Sequence, residues 1–537
     1  MFSRIHSAVC KGIEGREVIV ETDIARGLPG IYIVGLASTM VMESRERIKS
    51  AIINSDMEYP RGRITVNLTP ANLRKNGSGL DLPIAAGILA SHMYIDTAAA
   101  EEFGIIGELS LEGAVLGISG VLPMVMCMKQ SGLRKMIIPA HNIPEAALIS
   151  GIELFPVTSL KECVEILNGR GNTGVQSDGL IMTDSDGGLI ENSRRDPEGK
   201  LLSSQTQAGD FADICGQENA KRALTIAVTG RHGLLMIGSP GCGKTMLASR
   251  IPGIMPPMTE QERIETAVIY SAAGISGSGH DIPHIRPFRH PHCTIGRAGL
   301  IGGGSIPVPG EITLAHNGVL FMDEVCEYDT STIEALRTPL EEKKIVHFRK
   351  GENYVFPCDF QLVMAANPCP CGFFGDSTRQ CKCTEAQLDK YRKKLSGPMM
   401  DRIDMRISME KVEYEELIRM GKKGRNIRDN KSGTKAGLST AEMRKTVEDG
   451  IAFAHEEGRR GYNSGLTDKD VEKYCALGSS GEKFMKQAYD ALKMTPRSYK
   501  KTLKVARTIA DISFSSEIKE EHLAEALSYR LVDAVNE

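Results

Sequence analysis

The sequence predicts an α/β multidomain protein: a core with a parallel sheet, a mixed α/β region before it and a helical region after it. Three observations predict this. Residues Gly238, Ser239, Pro240, Gly241, Cys242, Gly243, Lys244 and Thr245 fit G-x-x-x-x-G-K-[ST], between an apolar run, 234–237, and a helix start, 246–249. About 80 residues later another apolar run, 319–322, ends in Asp323 and Glu324. A third run ends in Asn367. Strand, glycine loop and helix, then strands ending in acids and in an amide, are the marks of a parallel α/β core.

At 537 residues the chain suits three or four domains of ~150 residues each. Its apolar fraction of 41% and charged fraction of 25% are those of a globular protein. The net charge of −3 excludes polyanion binding by bulk charge, so any nucleic-acid surface must be local. No apolar run approaches the ~18–20 residues of a membrane span, and no apolar segment follows the first charges. Thirteen scattered cysteines, an odd number, argue against a secreted disulfide scaffold; a reducing cytoplasm is expected.

Taken in order, residues 1–167 read as mixed α and β. Strands are expected at 18–22, 31–34 and 63–68, and helices at 40–54 and 82–92. Residues 168–210 are rich in Gly, Ser, Asp, Asn and Gln and read as a flexible linker. The core runs over 211–408: a helix at 217–230 leads into the glycine loop, and a Gly/Pro-rich stretch, 274–311, interrupts the pattern before the two later strands. Residues 409–537 are mostly helical in pattern, with a basic insert at 422–435 expected to be a solvated loop.

The chemistry follows from residue types. Backbone N–H groups of the glycine loop and the helix behind it can cradle the phosphates of ATP. Lys244 is expected to reach the β/γ-phosphates and Thr245 to ligate Mg²⁺. Asp323 is expected to hold Mg²⁺ through water, and Glu324 to activate the attacking water. Asn367 suits positioning that water; capping a turn before Pro368 is the local alternative. The order of loop, acidic strand and polar strand end favours the first, as in AAA+ proteins. Arg402, in Asp401-Arg402-Ile403-Asp404, is the candidate arginine finger for a neighbouring subunit, with a surface ion pair as the alternative. Arg497 opens a helix and is the candidate second sensor. With Lys500, Lys504 and Arg507 it shares a helix face, which suits a solvated stripe or contacts with nucleotide, a partner subunit or a phosphate backbone.

Two clusters stand apart. Cys369, Cys371, Cys381 and Cys383 form two C-x-C pairs, a spacing that suits a Zn²⁺ site but is tighter than usual; clustering of free thiols is the alternative. Arg286, Arg289, His290, His292 and Arg297 suit either a passing phosphate backbone or pairing with nearby acids. Zinc at His290, His292 and Cys293 is disfavoured by their adjacency. Only Phe288 lies here and the chain has no Trp, which favours backbone tracking over base reading.

Together these residues resemble the Mg-chelatase-like AAA+ ATPases of the YifB/ComM family. The likeness covers nearly the whole chain, most clearly at 216–224, 286–292, 309–318, 367–372, 396–404 and 505–511. Two places depart from the family pattern: Cys293 replaces a second His, and Val325-Cys326-Glu327 replaces Leu/Ile-Pro-Glu. The resemblance implies a Lon-protease-like N-terminal domain of the ribosomal S5 domain 2 type, an AAA+ core whose Gly/Pro-rich insert faces a central channel, and a helical Mg-chelatase-type lid. It implies a hexameric ring and, in the ComM branch, DNA branch migration on single-stranded or branched DNA during uptake or recombination. A chelatase-type or regulatory remodeller of a protein partner is the alternative; the run Asp184-Ser185-Asp186 is too weak for a metal-dependent adhesion site.

The Lon-like resemblance also raises peptidase activity. Gly77-Ser78-Gly79-Leu80-Asp81 falls where Lon-type proteases carry the nucleophile, but Ser78 is one residue out of register. The lysine expected after Ser119-Gly120 is replaced by Val121-Leu122, so no Ser–Lys dyad and no peptidase activity are expected.

Overall fold

Lys11 and Glu14 pair across the two-residue turn Gly12-Ile13, where Gly12 takes a left-handed φ of 65°. That turn joins β1 (Phe2–Lys11) to β2 (Glu14–Ala25) and starts the N-terminal sheet. The structure is a computed structural model and describes residues 2–75, 77, 79–171, 174–177, 181–183, 189–191, 209–275, 285–376, 379–395, 397–411 and 438–530. Ser78, Asp184 to Asp186, the basic insert at 422–435 and most of the expected linker lie outside the described residues.

The sheet is completed by β3 (Gly30–Val34), β4 (Arg63–Thr69), β5 (Phe103–Ile105), β6 (Lys135–Pro139), β7 (Ile152–Val157) and β8 (Val175–Ser177), in the order β8-β7-β6-β5-β1-β2-β4-β3. β8 falls in the segment expected to be linker, yet pairs antiparallel with β7 as an edge strand. Ile64, Val66 and Leu68 alternate into the core along β4, as a half-covered strand requires. Ser38 caps α1 (Thr39–Asn54), and α2 (Asp81–Ser91) is buried along its length. Both helices and all three strands expected from the pattern form here.

The second sheet has the order β10-β11-β14-β9-β15 and every pairing in it is parallel. Its strands are β9 (Leu234–Gly238), β10 (Phe288–Arg289), β11 (Val319–Met322), β14 (Gln361–Ala366) and β15 (Met405–Met409); β12 (Lys344–Arg349) and β13 (Glu352–Pro357) form a separate antiparallel hairpin. Near-continuous apolar runs reflect burial on both faces. Leu234 and Met236 face one core cluster, and Leu235 faces another with Leu320 and Met322.

Helices α3 (Val121–Gln130), α4 (Glu218–Gly230), α5 (Lys244–Ser249), α6 (Glu260–Ala272) and α7 (Arg337–Glu342) precede the C-terminal helices α8 (Thr440–Glu456), α9 (Pro496–Ile512) and α10 (Glu520–Ser528). Val447, Val505 and Ile509 join the cluster of Leu234 and Leu224, so the C-terminal helices close one face of the core. The N-terminal domain meets α6: the Gly120 and Leu122 N–H groups donate to the carbonyl (2.9 Å) and hydroxyl (3.2 Å) of Ser271.

Candidate nucleotide-hydrolysis site

β9, flanked by β14 and β15, delivers the chain at its carboxyl end, where open parallel sheets bind ligands. Gly241 and Gly243 take φ values of 82° and 96°, which β-carbon-bearing residues adopt only at a cost. Gly243 then caps α5, whose first residue is Lys244. The buried Lys244 ammonium donates to the carbonyls of Gly238 (2.6 Å) and Ser239 (3.2 Å) and to Asn367 Oδ1 (3.2 Å). Cys242 is buried, its Sγ 3.8 Å from that ammonium. Thr245 Oγ1 donates to Asp323 Oδ2 at 2.6 Å. The neighbouring Glu324 is exposed and has a left-handed φ of 48°, and its N–H bonds Asp323 Oδ1 at 2.9 Å. Strain of this kind collects at functional positions.

Lys244, Thr245, Asp323, Glu324 and Asn367 therefore meet at one end of three adjacent strands. A hydroxyl and a carboxylate oxygen this close fit Mg²⁺, which takes few protein ligands and completes its shell with water and phosphate. Two supports were not foreseen. Gln217 Nε2 donates to the Cys242 and Glu410 carbonyls, bracing the loop from the start of α4. Ser239 Oγ donates to Asp376 at 3.1 Å. Gln217 sits in a stretch that carries the family resemblance, which was the available signal; Asp376 had none.

Arg402 and Arg497 are not part of this cluster. Gly233, immediately before β9, accepts from the Asp404 N–H at 3.1 Å, so the 401–404 segment lies at the opposite end of β9. Five residues separate the ends, about 16 Å at ~3.3 Å per residue. There Arg402 and Arg497 both pair with Glu341 Oε1 on α7, at 2.9 and 2.7 Å. The Arg497 hydrogen bond, then Arg402, holds the Glu341 carboxyl below its usual range. Arg231, Arg402, Arg497, Lys500, Lys501 and Lys504 line a cleft of about 620 Å³. Burial pushes the Asp404 carboxyl up, but Lys501 at 2.5 Å and His232 at 3.4 Å more than reverse this and hold it well below the ordinary value.

The expected stripe on α9 is not a solvated face throughout. Arg497 and Lys500 edge the cleft, whereas Arg507 is buried and pairs with Asp511, which also binds Arg459 and Asn463.

The basic stretch at 286–297 divides similarly. Arg286 is buried against Glu262, with two 3.0 Å contacts, and Arg289 grips Glu311 at 2.7 and 2.8 Å. For these two the structure shows pairing with acids. Arg297 is exposed. Among the described residues, His290, His292 and Cys293 do not form a metal-binding group, while Cys369, Cys371, Cys381 and Cys383 do come together. Backbone N–H groups of Lys382 and Phe373 hold the Cys371 thiol down at about 6. In the N-terminal domain Val121 and Leu122 are buried at the start of α3.

The comparisons with known proteins agree along the chain. The family described as magnesium chelatase, subunit ChlI, matches residues 210–417; related ChlI descriptions match 20–142 and, for the ChlI C-terminal part, 437–530. Competence protein ComM of Haemophilus influenzae is 37% identical over 98% of this chain and 97% of its own length. An uncharacterized protein YifB of Escherichia coli is 36% identical over 99% of this chain and 97% of its own. The chain belongs to the YifB/ComM family of Mg-chelatase-like proteins. A partial likeness joins it to Lon protease 2 of Bacillus subtilis, 28% identical over 46% of this chain and 49% of that protein. YifB/ComM membership in the Mg-chelatase-like group points to an AAA+-type α/β fold, ATPase activity with ATP and Mg²⁺, and an oligomer. Among the described residues no helix is long and apolar enough to cross a membrane.

Proposed function

We propose that the chain is one subunit of a hexameric AAA+ ring that hydrolyses ATP and uses the energy to move DNA, as in branch migration of strand-exchange or uptake intermediates. The observation that carries the ring is the separation of Arg402 and Arg497 from the glycine loop by the length of β9. A head-to-tail neighbour can bring one end of a subunit to the other end of the next, and such interfaces close into rings.

In this reading Lys244 binds the β/γ-phosphates, while Thr245 and Asp323 hold Mg²⁺, whose charge would offset that of the phosphates. Glu324 takes a proton from the attacking water as its oxygen bonds to the γ-phosphorus, and Asn367 orients that water. The bridging oxygen leaves with ADP. Arg402, assisted by Arg497 of the same neighbour, meets the charge that develops on the transferred group.

DNA as substrate is supported by the competence role in the name of one relative and by an exposed hairpin absent from the sequence expectations. At the turn joining β12 to β13, Phe348, Arg349 and Lys350 are exposed, offering one stacking face and two cations. Forked or four-way DNA should raise the ATPase rate at low salt, with the stimulation falling as salt rises. If such DNA neither binds nor stimulates while ATP is still hydrolysed, the motor reading fails and a remodeller of a protein partner takes its place.

A further inference from the structure

Four sulfur atoms lie just outside the nucleotide loop. Cys369 Sγ is 3.3 Å from Cys371 Sγ and 3.7 Å from Cys381 Sγ, and the last two are 3.5 Å apart. With Cys383, all four lie within 4.8 Å of one another. A tetrahedron of thiolates at the usual Zn–S length of ~2.3 Å has edges of about 3.8 Å. The closest contact is far longer than a disulfide bond of ~2.05 Å, so the sulfurs are gathered without being joined. Backbone N–H groups point at them from outside: Phe374 to Cys369 at 3.3 Å, and Cys383 to Cys381 at 3.4 Å. Donors in that outer position stabilise thiolate charge around a metal. An all-sulfur set selects zinc over hard cations.

We propose that Cys369, Cys371, Cys381 and Cys383 bind one structural zinc ion, and that the resulting knot braces the nucleotide loop. The segment they tie contacts that loop twice. Asp376 accepts the Ser239 hydroxyl, and Gly372 presses on Pro240 so closely that a β-carbon would stand 2.7 Å from its ring. Cys369 also lies two residues after Asn367, so the metal anchors the end of the strand that presents this amide. Of the four cysteines only Cys369 is buried, so burial of the thiols themselves does little to hold the segment closed. In small loops a structural metal supplies that rigidity.

The zinc site stands independently of the nucleotide reading; the bracing rests on it. Metal content of full-length protein, purified under reducing conditions without chelator, should be about one zinc per chain. The double variant Cys371→Ser/Cys383→Ser should fall below about a tenth of that, while Cys293→Ser keeps its zinc. Exchange with cobalt should give the intense visible bands of a tetrahedral tetrathiolate. Less than about half an equivalent of zinc in the parent protein, with no such cobalt spectrum, overturns the site. For the bracing, affinity for a fluorescent ATP analogue should fall about tenfold in the folded zinc-free variant and also in Asp376→Ala, which retains zinc. Unchanged affinity in both overturns the bracing. Lys244→Ala separates the two claims: if it binds the analogue like the parent, the nucleotide reading and the bracing fall while the zinc result stands.

Discussion

The two ends of β9 differ in how their charges are satisfied. At the carboxyl end Lys244 rests on two carbonyls and the Asn367 amide, and Thr245 on Asp323. These neutral or magnesium-ready partners leave room for a polyanion. At the amino end a group of arginines and lysines faces a cleft, with Glu341 holding two of them. Acids of the same cleft pair with others, Asp468 with Lys500 and Asp404 with Lys501, so the cations stand ordered opposite a phosphate cradle about 16 Å away along the strand, an arrangement a repeating assembly can use. The lesson is that neither end need be complete by itself.

The most severe way to break this comparison is to disable either end. Arg402→Ala and Glu324→Gln should each lower phosphate release by about 10³-fold, with nucleotide binding retained in both. Turnover at the parental rate in Glu324→Gln would remove that residue from the chemistry. Mixing settles whether the ends cooperate across subunits. Equal amounts of Arg402→Ala and Lys244→Ala chains should recover about a quarter of parental activity, because a quarter of randomly formed head-to-tail interfaces join two intact halves. If mixed rings form and no ratio recovers activity, Arg402 does not act on a neighbour.

Why the carboxyl end was legible and the amino end was not has a physical cause. The glycine loop, the acidic strand end and Asn367 are local signals: each role sits in or beside an apolar run, and the parallel sheet aligns the ends of those runs. The strand and helix positions in the N-terminal domain were equally readable from alternation and helical spacing. Charge pairing was not. Glu262 and Glu311 lie more than twenty residues from Arg286 and Arg289, and Glu341 is 156 residues from Arg497. Periodicity placed Arg497, Lys500, Lys504 and Arg507 on one helix face, but only packing shows that this face descends from an open cleft into a buried network. The β12–β13 hairpin was not among the expected strands, and its Val346, Phe348 and Val355 are exposed, so no buried face marks it.

A smaller effect sharpens what holds the amino end in place. Asp404 binds the Gly233 N–H, Lys501 and His232, so it ties α9 to the start of β9. Removing its charge in Asp404→Asn leaves a largely buried lysine ammonium unpaired and should destabilise the protein by about 3 kcal/mol at pH 7, read from urea unfolding. The folded-state pKa of Asp404 is depressed. Its contribution is therefore fully present above the ordinary carboxylate range and is lost as pH falls below about 4. The stability difference between the variant and the parent should shrink in that acid window. A difference independent of pH down to 3 would mean that Asp404 acts by shape and not by charge.

The smallest expected effect tests whether Glu341 stands in for phosphate. Its carboxylate is about half exposed and grips two arginines that, in the ring reading, must turn to a neighbour's nucleotide. Exposed pairs of this type contribute only about 0.2–1 kcal/mol each. Glu341→Gln keeps the size of the side chain and removes the charge, so both guanidinium groups lose their competing anion. ATP affinity of assembled protein should then rise about two- to fivefold, seen as a lower KM with kcat little changed. The direction matters more than the size. If Glu341 merely positions Arg402 and Arg497 for catalysis, the same substitution lowers kcat and leaves KM alone. If the arginines never meet nucleotide, neither parameter moves. A lower KM that disappears when Arg402→Ala is added would tie the effect to the released arginine, and would make Glu341 the internal anion that a neighbour's phosphates displace.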